Sequence, residues 1–491
     1  MADNLKKKTL SGVIWSSIHK IAIMLLGFIS GIVLARLLTP HDYGVIGMLT
    51  IFLAVSQTFI DGGFGSALIQ KKTPTSEDYS TILYWNLALS LFLYILLYAC
   101  APVVARFYNL SLLCDVLRVQ GLVLIINAAR IVQRNQLRKQ LQFKKIAIIN
   151  VSSNVIALAF TIYWAWKGWG VWALVAQQLL VSLLTTSLYW ATAKWKPLLV
   201  FSKKSFMELF GFGGFILLSN LFNTLCNNIQ PLLIGKVYNS STLGFYSKAR
   251  STESYASTFL SSVLSQVTYP VFSEAQNDKM RIISILKKII GASSFITFPL
   301  MLLMILLAKP IFTLLYTEKW LPCVPYFQLL CIAGIAISLQ NINYFAVAAI
   351  GKSKAIMKWT IVKRVSGLVL TIAGLWLFGI YGMIVGSVIT SWLIYIINAM
   401  MVSKYIGYTN WQQLKDLMPI LLSSSIAFIL TYIVGFILPW SDSFIAIIQF
   451  IIYTTIYLTI SILFKVEAYT FTKEILNILL NKFKRGRTSL S

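Results

Sequence analysis

Amides and cations at helical spacing inside apolar runs are the residues of this chain with chemistry to offer. The stretch SNLFNTLCNNIQP carries Asn220, Asn223, Asn227 and Gln230. At 100° per residue these lie within about 80° of one helical face. A side-chain amide both donates and accepts, so such a stripe suits hydroxyl ligands in a wet cavity. The alternative is glue between helices, which amides also provide in membranes. Residues 12–38 place Ser16, Lys20, Gly27 and Gly31 within about 60° of one face. A third run puts Gln120, Asn127, Arg130, Arg134 and Arg138 on one stripe, with Arg118 roughly opposite.

The inventory of charge at membrane depth is lopsided. Its cations are Lys20, Arg36, Arg118, Arg130, Lys248 and Arg250, against Glu253 as the main carboxylate. Arg134 and Arg138 read as ordinary inner-surface charge, while Arg130 sits about a turn deeper. Glu253 is spaced i,i+3 from Arg250 to neutralise it, and Gln340, Asn341 and Asn343 form a polar knot in a later run. Asp61, in IDGGFG, reads as a structural turn rather than an ion site. A cavity so lined favours an anion. The five cysteines form no CxxC pair, there are two histidines, and no HExxH occurs. These counts point away from a metal site, a bound cofactor and nucleophilic-triad chemistry.

The elements that must position these groups follow from hydropathy. Of 491 residues, 58% are hydrophobic, and runs of ~18 or more apolar residues recur, which predicts an all-α integral membrane protein. The runs are too long for barrel strands. No removable signal peptide is expected ahead of the first. About fourteen spans are predicted, near 12–38, 44–62, 80–105, 114–133, 146–166, 169–193, 209–235, 244–270, 283–308, 322–350, 356–379, 381–403, 417–438 and 443–464.

Most of the 42 Lys and Arg residues fall in alternate loops and at both ends. The positive-inside rule therefore puts both termini in the cytoplasm. The net charge of +27 then faces an anionic leaflet, and no nucleic-acid partner is needed. Residues 471–487 have apolar residues at helical spacing and a basic face, which predicts a tail lying on the membrane lipids. Trp164, Trp166, Trp169 and Trp172 mark the outer headgroup belt.

Shifted by about 200 positions, the sequence overlays itself. Trp15 meets Phe215, Arg36 meets Lys236, and Gly44 meets Gly244. In both copies a cation ends an apolar run, a polar turn follows, and a glycine opens the next run. Two pseudo-symmetric units of about six spans are expected, with a substrate site between them. The predicted divisions are 1–200, 201–405, two extra helices over 406–470, and the tail 471–491. Spans 1 and 7 are expected to face each other across the cavity.

The stretches SGVIWSSI, GFISGIVLARLLTPHDYGVIGM and FIDGGFGSALIQKK (11–72) resemble the polysaccharide transporters of the MOP superfamily, in particular its WzxC-like, colanic-acid exporter branch. FGFGGFILLSNLFNTLCNNIQPLLIGK (210–236), LGFYSKA (243–249) and YPVFSEAQND (269–278) extend the resemblance. It implies a MATE-like V of two lobes in a bacterial inner membrane, flipping undecaprenyl-diphosphate-linked oligosaccharide. It implies no catalytic residues, and a polysaccharide polymerase and glycosyltransferases as neighbours in the process. Lys20, Arg36, Arg130 and Arg250 are then candidates for diphosphate contact, and Asn220, Asn223, Asn227 and Gln230 for sugar contact. A multidrug or cation antiporter of the same superfamily would want more buried carboxylates. A membrane polymerase or ligase would want a large outer loop.

Overall fold

The computed structural model describes residues 2–193, 195–275, 278–437, 442–464 and 466–470, so the amphipathic tail expected over 471–487 lies outside the described residues. Helices α1 (Ala2–Leu37), α2 (Pro40–Asp61), α3 (Phe64–Gln70) and α4 (Ser76–Tyr108) come first. Helices α5 (Leu112–Gln120), α6 (Leu122–Ala128), α7 (Ile131–Lys139), α8 (Phe143–Trp166) and α9 (Val171–Thr192) follow. Next are α10 (Lys203–Val237), α11 (Ser240–Glu274), α12 (Lys279–Leu306) and α13 (Ala308–Tyr316). The last are α14 (Cys323–Ala349), α15 (Ser353–Tyr405), α16 (Asn410–Ile437) and α17 (Asp442–Leu463).

Local chemistry sets the ends. Thr39 caps α2 in a reciprocal capping box with Asp42, and Pro40 opens the first turn. Thr75 and Asp78 repeat the device at α4, which Asn109 ends in the left-handed conformation. Helix α15 is broken at Phe378 and at Gly379, whose φ of 63° and ψ of −147° suit glycine alone. Its two arms then run back on each other. A Cβ on Gly374 would lie 2.2 Å from the Gly382 carbonyl oxygen, and one on Gly386 2.4 Å from that of Leu370.

Among the described residues, 11 helices are long and apolar enough to cross a membrane, or 12 if the bent pair within α10 counts as one. The chain is therefore a multi-pass membrane protein. That tally takes both arms of α15 together and omits α11. Ile14, Ile18, Leu25 and Ile29 on α1, with Trp166 and Trp169 at the α8–α9 turn, are exposed, as lipid-facing and interfacial residues are.

The chain packs as two compact units, Met1–Ser247 and Lys248–Ser491. In the first, α1 lies along α8, and α10 lies along α2. Leu34, Leu38, Leu158, Ala165, Ala173 and Leu174 close the core between α1, α8 and α9. Phe64, Leu68, Ile82, Leu83, Val132 and Leu209 tie α3, α4, α7 and α10 together. The packing division falls inside α11, beyond the point where the sequence repeat restarts, because α10 is seated on α2. In the second unit α14 packs on both α12 and α15, and α16 on α12 and α17.

Candidate functional site

The span expected over 114–133 is three helices, α5, α6 and α7. A Cβ on Gly121 would meet the Leu117 carbonyl at 3.0 Å and the Tyr94 ring at 3.1 Å, which marks the first junction. The second junction, at Ala129 and Arg130, leaves carbonyls without helical partners. Helix α9 supplies donors: Thr186 Oγ1 to the Ile126 oxygen and Trp190 Nε1 to the Ala129 oxygen, each at 3.0 Å. Broken backbone at membrane depth must be satisfied in this way. The break makes Arg130 the residue before α7, which carries Arg134 and Arg138.

These three arginines gather a polar cluster. Arg130 and Arg134 lie in electrostatic reach of Asp61, the last residue of α2. All three act on Tyr189, whose hydroxyl accepts from Asn150 Nδ2 at 3.2 Å. Arg134 also reaches His19, the neighbour of Lys20 on α1. Asn127 Nδ2 donates to Gln57 Oε1, and Gln57 Nε2 donates to Asp61 Oδ1, both at 3.2 Å. Arg134, Arg138 and Asp61 are exposed and Arg130 is half-buried; Lys20, also exposed, is on α1 one residue beyond His19 and so points about 100° away from it. The cluster is thus accessible, strongly basic and holds a single carboxylate. Asp61 does end its helix before left-handed Gly62 and Gly63, and it also faces the arginines.

The amides of α10 flank a helix contact. Gly213, Thr224 and Gly235 recur every eleven residues and so share a face. Gly213 abuts Gly62 and Gly63, Thr224 Oγ1 hydrogen-bonds Thr58 Oγ1 at 3.0 Å, and Gly235 meets Met48 and Tyr108. Asn220, Asn223, Asn227 and Gln230 lie about 40–120° round from that face. Asn220 and Asn227 are exposed, Asn223 and Gln230 half-buried. Gln230 Oε1 accepts from the Tyr246 hydroxyl.

The remaining candidates have surroundings of their own. Arg36 is exposed at the end of α1, ~24 Å along the helix from Lys20. Its repeat counterpart Lys236 donates to the Phe107 carbonyl at 2.7 Å. Arg250 is an exposed residue of the second unit, in electrostatic reach of Glu253. Glu253 is buried, and Gly334 makes space for it: a Cβ there would lie 2.5 Å from Glu253 Oε1. Lys248 is buried over the rings of Tyr316 at 4.1 Å and Trp320 at 5.6 Å.

Lys363, inside the span expected over 356–379, is buried and donates to Asn398 Oδ1 at 2.8 Å. The polar knot near 340 joins helices: Gln340 donates to the Ser391 carbonyl at 2.8 Å and Asn343 to Gln413 Oε1 at 3.2 Å.

Outside the apolar spans, Lys71 links α3, α4 and α10. Its Nζ lies 3.1 Å from Asp78 and 3.0 Å from Glu208. Burial works to lower its pKa, and the two carboxylates outweigh that and hold it above the ordinary lysine value.

A multi-pass helical bundle that carries an accessible basic cluster in its first unit is the setting in which transporters are built. Solved transporters share the fold. The lipid II flippase MurJ, in its inward closed conformation, matches with a TM-score of 0.75 over 92% of this chain and 98% of that one, at 16% identity. An inward-facing MATE family multidrug resistance transporter of the MOP superfamily matches at 0.63, over 80% and 98%, at 15% identity. The chain belongs to the family described as polysaccharide biosynthesis protein, which matches residues 33–325. Among its relatives are the teichuronic acid biosynthesis protein TuaB of Bacillus subtilis, 28% identical over 80% of this chain and 81% of that protein, and the lipopolysaccharide biosynthesis protein WzxC of Escherichia coli, 24% identical over 69% of each. The succinoglycan biosynthesis transport protein ExoT of Rhizobium meliloti is 23% identical over 74% of each.

Proposed function

We propose that this chain is a flippase that moves undecaprenyl-diphosphate-linked oligosaccharide, the repeat unit of an exopolysaccharide, capsule or O-antigen, across a bacterial inner membrane. The observation that carries the reading is the accessible arginine ladder of Arg130, Arg134 and Arg138 beside Asp61 and Tyr189. Guanidinium groups pair bidentately with phosphate oxygens, and a diphosphate is the part of such a lipid that hydrocarbon excludes. The printed names of TuaB, WzxC and ExoT support the substrate class. In this reading Lys20, Arg36, Arg130 and Arg250 serve the diphosphate at successive points of its passage, while Asn220, Asn223, Asn227 and Gln230 serve sugar hydroxyls. The polyprenyl tail stays in lipid, and rocking of the two repeats gives alternating access. The chain crosses about fourteen times, counting each arm of α15 and α11, with both termini in the cytoplasm. No bond is made or broken. A polymerase and glycosyltransferases act before and after it.

Moving about two negative charges outward is favoured by ~4–5 kcal/mol at 100 mV, inside negative. Reconstituted into vesicles with an imposed potential, the protein is expected to flip a lipid-diphosphate-linked saccharide faster as the inside becomes more negative. Failure to flip such a lipid at any potential overturns the reading.

A further inference from the structure

The first unit holds a second polar hollow, beneath the link from α7 to α8 and at the end of α9. It encloses about 320 Å³, at the small end of the ~300–1,000 Å³ typical of ligand pockets. Tyr79, Gln133, Gln136, Gln142, Lys145 and Trp195 line it. Gln133 is wholly buried, yet neither its Oε1 nor its Nε2 has a hydrogen-bond partner. Gln142 Oε1 and Trp195 Nε1 are also buried without partners. Native interiors leave few such atoms unmet, and each requires an occupant or a reason. Gln133, Gln142 and Trp195 all belong to the lining of this one hollow.

Their chemistry selects the occupant. An amide donates and accepts, as a hydroxyl does. Trp195 meets Tyr79 with ring centroids 5.9 Å apart and planes at 64°, and aromatic rings offer an apolar face with a polar edge. Among the described residues the lining has no carboxylate to hold a cation, and Lys145 is the one cation described there, too little for a nucleotide's phosphates. We infer that this hollow binds one hydroxylated sugar ring, with Lys145 placed for the carboxylate of a uronic acid. Positive-inside orientation puts it on the cytoplasmic side, where it holds a sugar of the lipid-linked substrate before transfer. That last step rests on the flippase reading; the binding of a sugar does not.

The test uses the full chain in lipid nanodiscs, free of glycoside detergents. Saturation-transfer NMR is recorded with methyl β-glucoside, methyl β-galactoside and methyl β-glucuronide. Transfer to ring protons of at least one glycoside is expected, falling tenfold or more in Gln133→Leu and in Trp195→Phe. Lys145→Gln is expected to weaken the glucuronide alone. Because Gln133→Leu removes unmet polar atoms, its thermal midpoint is expected to stay level or rise. If Gln133→Leu does not fold, Trp195→Phe carries the test. No transfer from any glycoside, or equal transfer in wild type and variants, overturns the site and leaves water as its occupant. Flipping without glycoside binding here overturns this site and spares the flippase. Glycoside binding without flipping does the reverse.

Discussion

Gly44 and Ser240 meet backbone to backbone: a Cβ on Gly44 would lie 1.7 Å from the Ser240 carbonyl oxygen. The converse contact repeats it, since a Cβ on Gly244 would lie 1.9 Å from the Pro40 carbonyl oxygen. His41 Nδ1 and Ser240 Oγ add a hydrogen bond of 2.6 Å. The duplicated outline of cation, polar turn and glycine is thereby explained. Each glycine lets the first turn of the other copy's helix close onto it. Substituting alanine at Gly44 or Gly244 must push α2 and α11 apart. A loss of about 1–3 kcal/mol is expected from such overpacking, read as a lower thermal midpoint of the purified protein. An unchanged midpoint in both variants sinks this account of the motif.

The cations divide into two experimental classes. Lys20 is exposed and makes no hydrogen bond or ion pair recorded among the described residues. Lys20→Gln should then alter stability by no more than about 0.5 kcal/mol, so any loss of transport reports on substrate. Arg130→Gln is expected to lower flipping at least tenfold, with Arg130→Lys recovering part of it as a point charge without the bidentate fork. Normal flipping by Arg130→Gln removes that residue from the diphosphate site.

Lys71 offers a pH test outside the apolar spans. Its side chain neutralises Asp78, which is 2% exposed, and Glu208, which is 57% exposed. Lys71→Met leaves a buried carboxylate without its cation and should cost about 1–3 kcal/mol. Glu208→Gln should cost less than about 0.5 kcal/mol, as exposed pairs do. Lys71 is held above the ordinary value of 10.5. Its stabilisation is therefore complete below that pH and is lost as pH rises through the elevated value. Thermal midpoints of wild type and Lys71→Met should converge above pH 10.5; parallel curves across that range refute the linkage.

Gly379 carries the reversal between the arms of α15. Its backbone conformation, φ 63° and ψ −147°, strains any residue with a Cβ by about 1–3 kcal/mol. Gly379→Ala should lower the thermal midpoint, whereas alanine at Gly211, where a Cβ would meet nothing within 4 Å, should not.

Much of the fold was legible because hydrocarbon leaves helices few alternatives. Each predicted apolar run overlies helix, and the reversal at Gly379 lies where one run was expected to end and the next to begin. The run at 114–133 lies within one candidate span, Leu112–Lys139, but its interruptions were not foreseen: the carbonyls freed at the second are met by Thr186 and Trp190, far off in sequence. No local pattern announces that. The site was legible as a stock of cations and amides, and Arg130 does join other polar groups. Its partners Asp61 on α2 and Tyr189 on α9 come from separate helices, so their convergence is tertiary. Arg134 is exposed, as surface charge is, whereas the burial of Lys363 was hidden because the positive-inside pattern counts cations near a span's end without saying which way they point.

A contact in which residue i of one copy meets j of the other, while j meets i, is the hallmark of an isologous interface. Pro40, Gly44, Ser240 and Gly244 retain that form inside one polypeptide. Such a seam is reciprocal: a methyl group added on either side runs into the opposite helix's backbone, so neither glycine can be enlarged without displacing the same pair of helix starts.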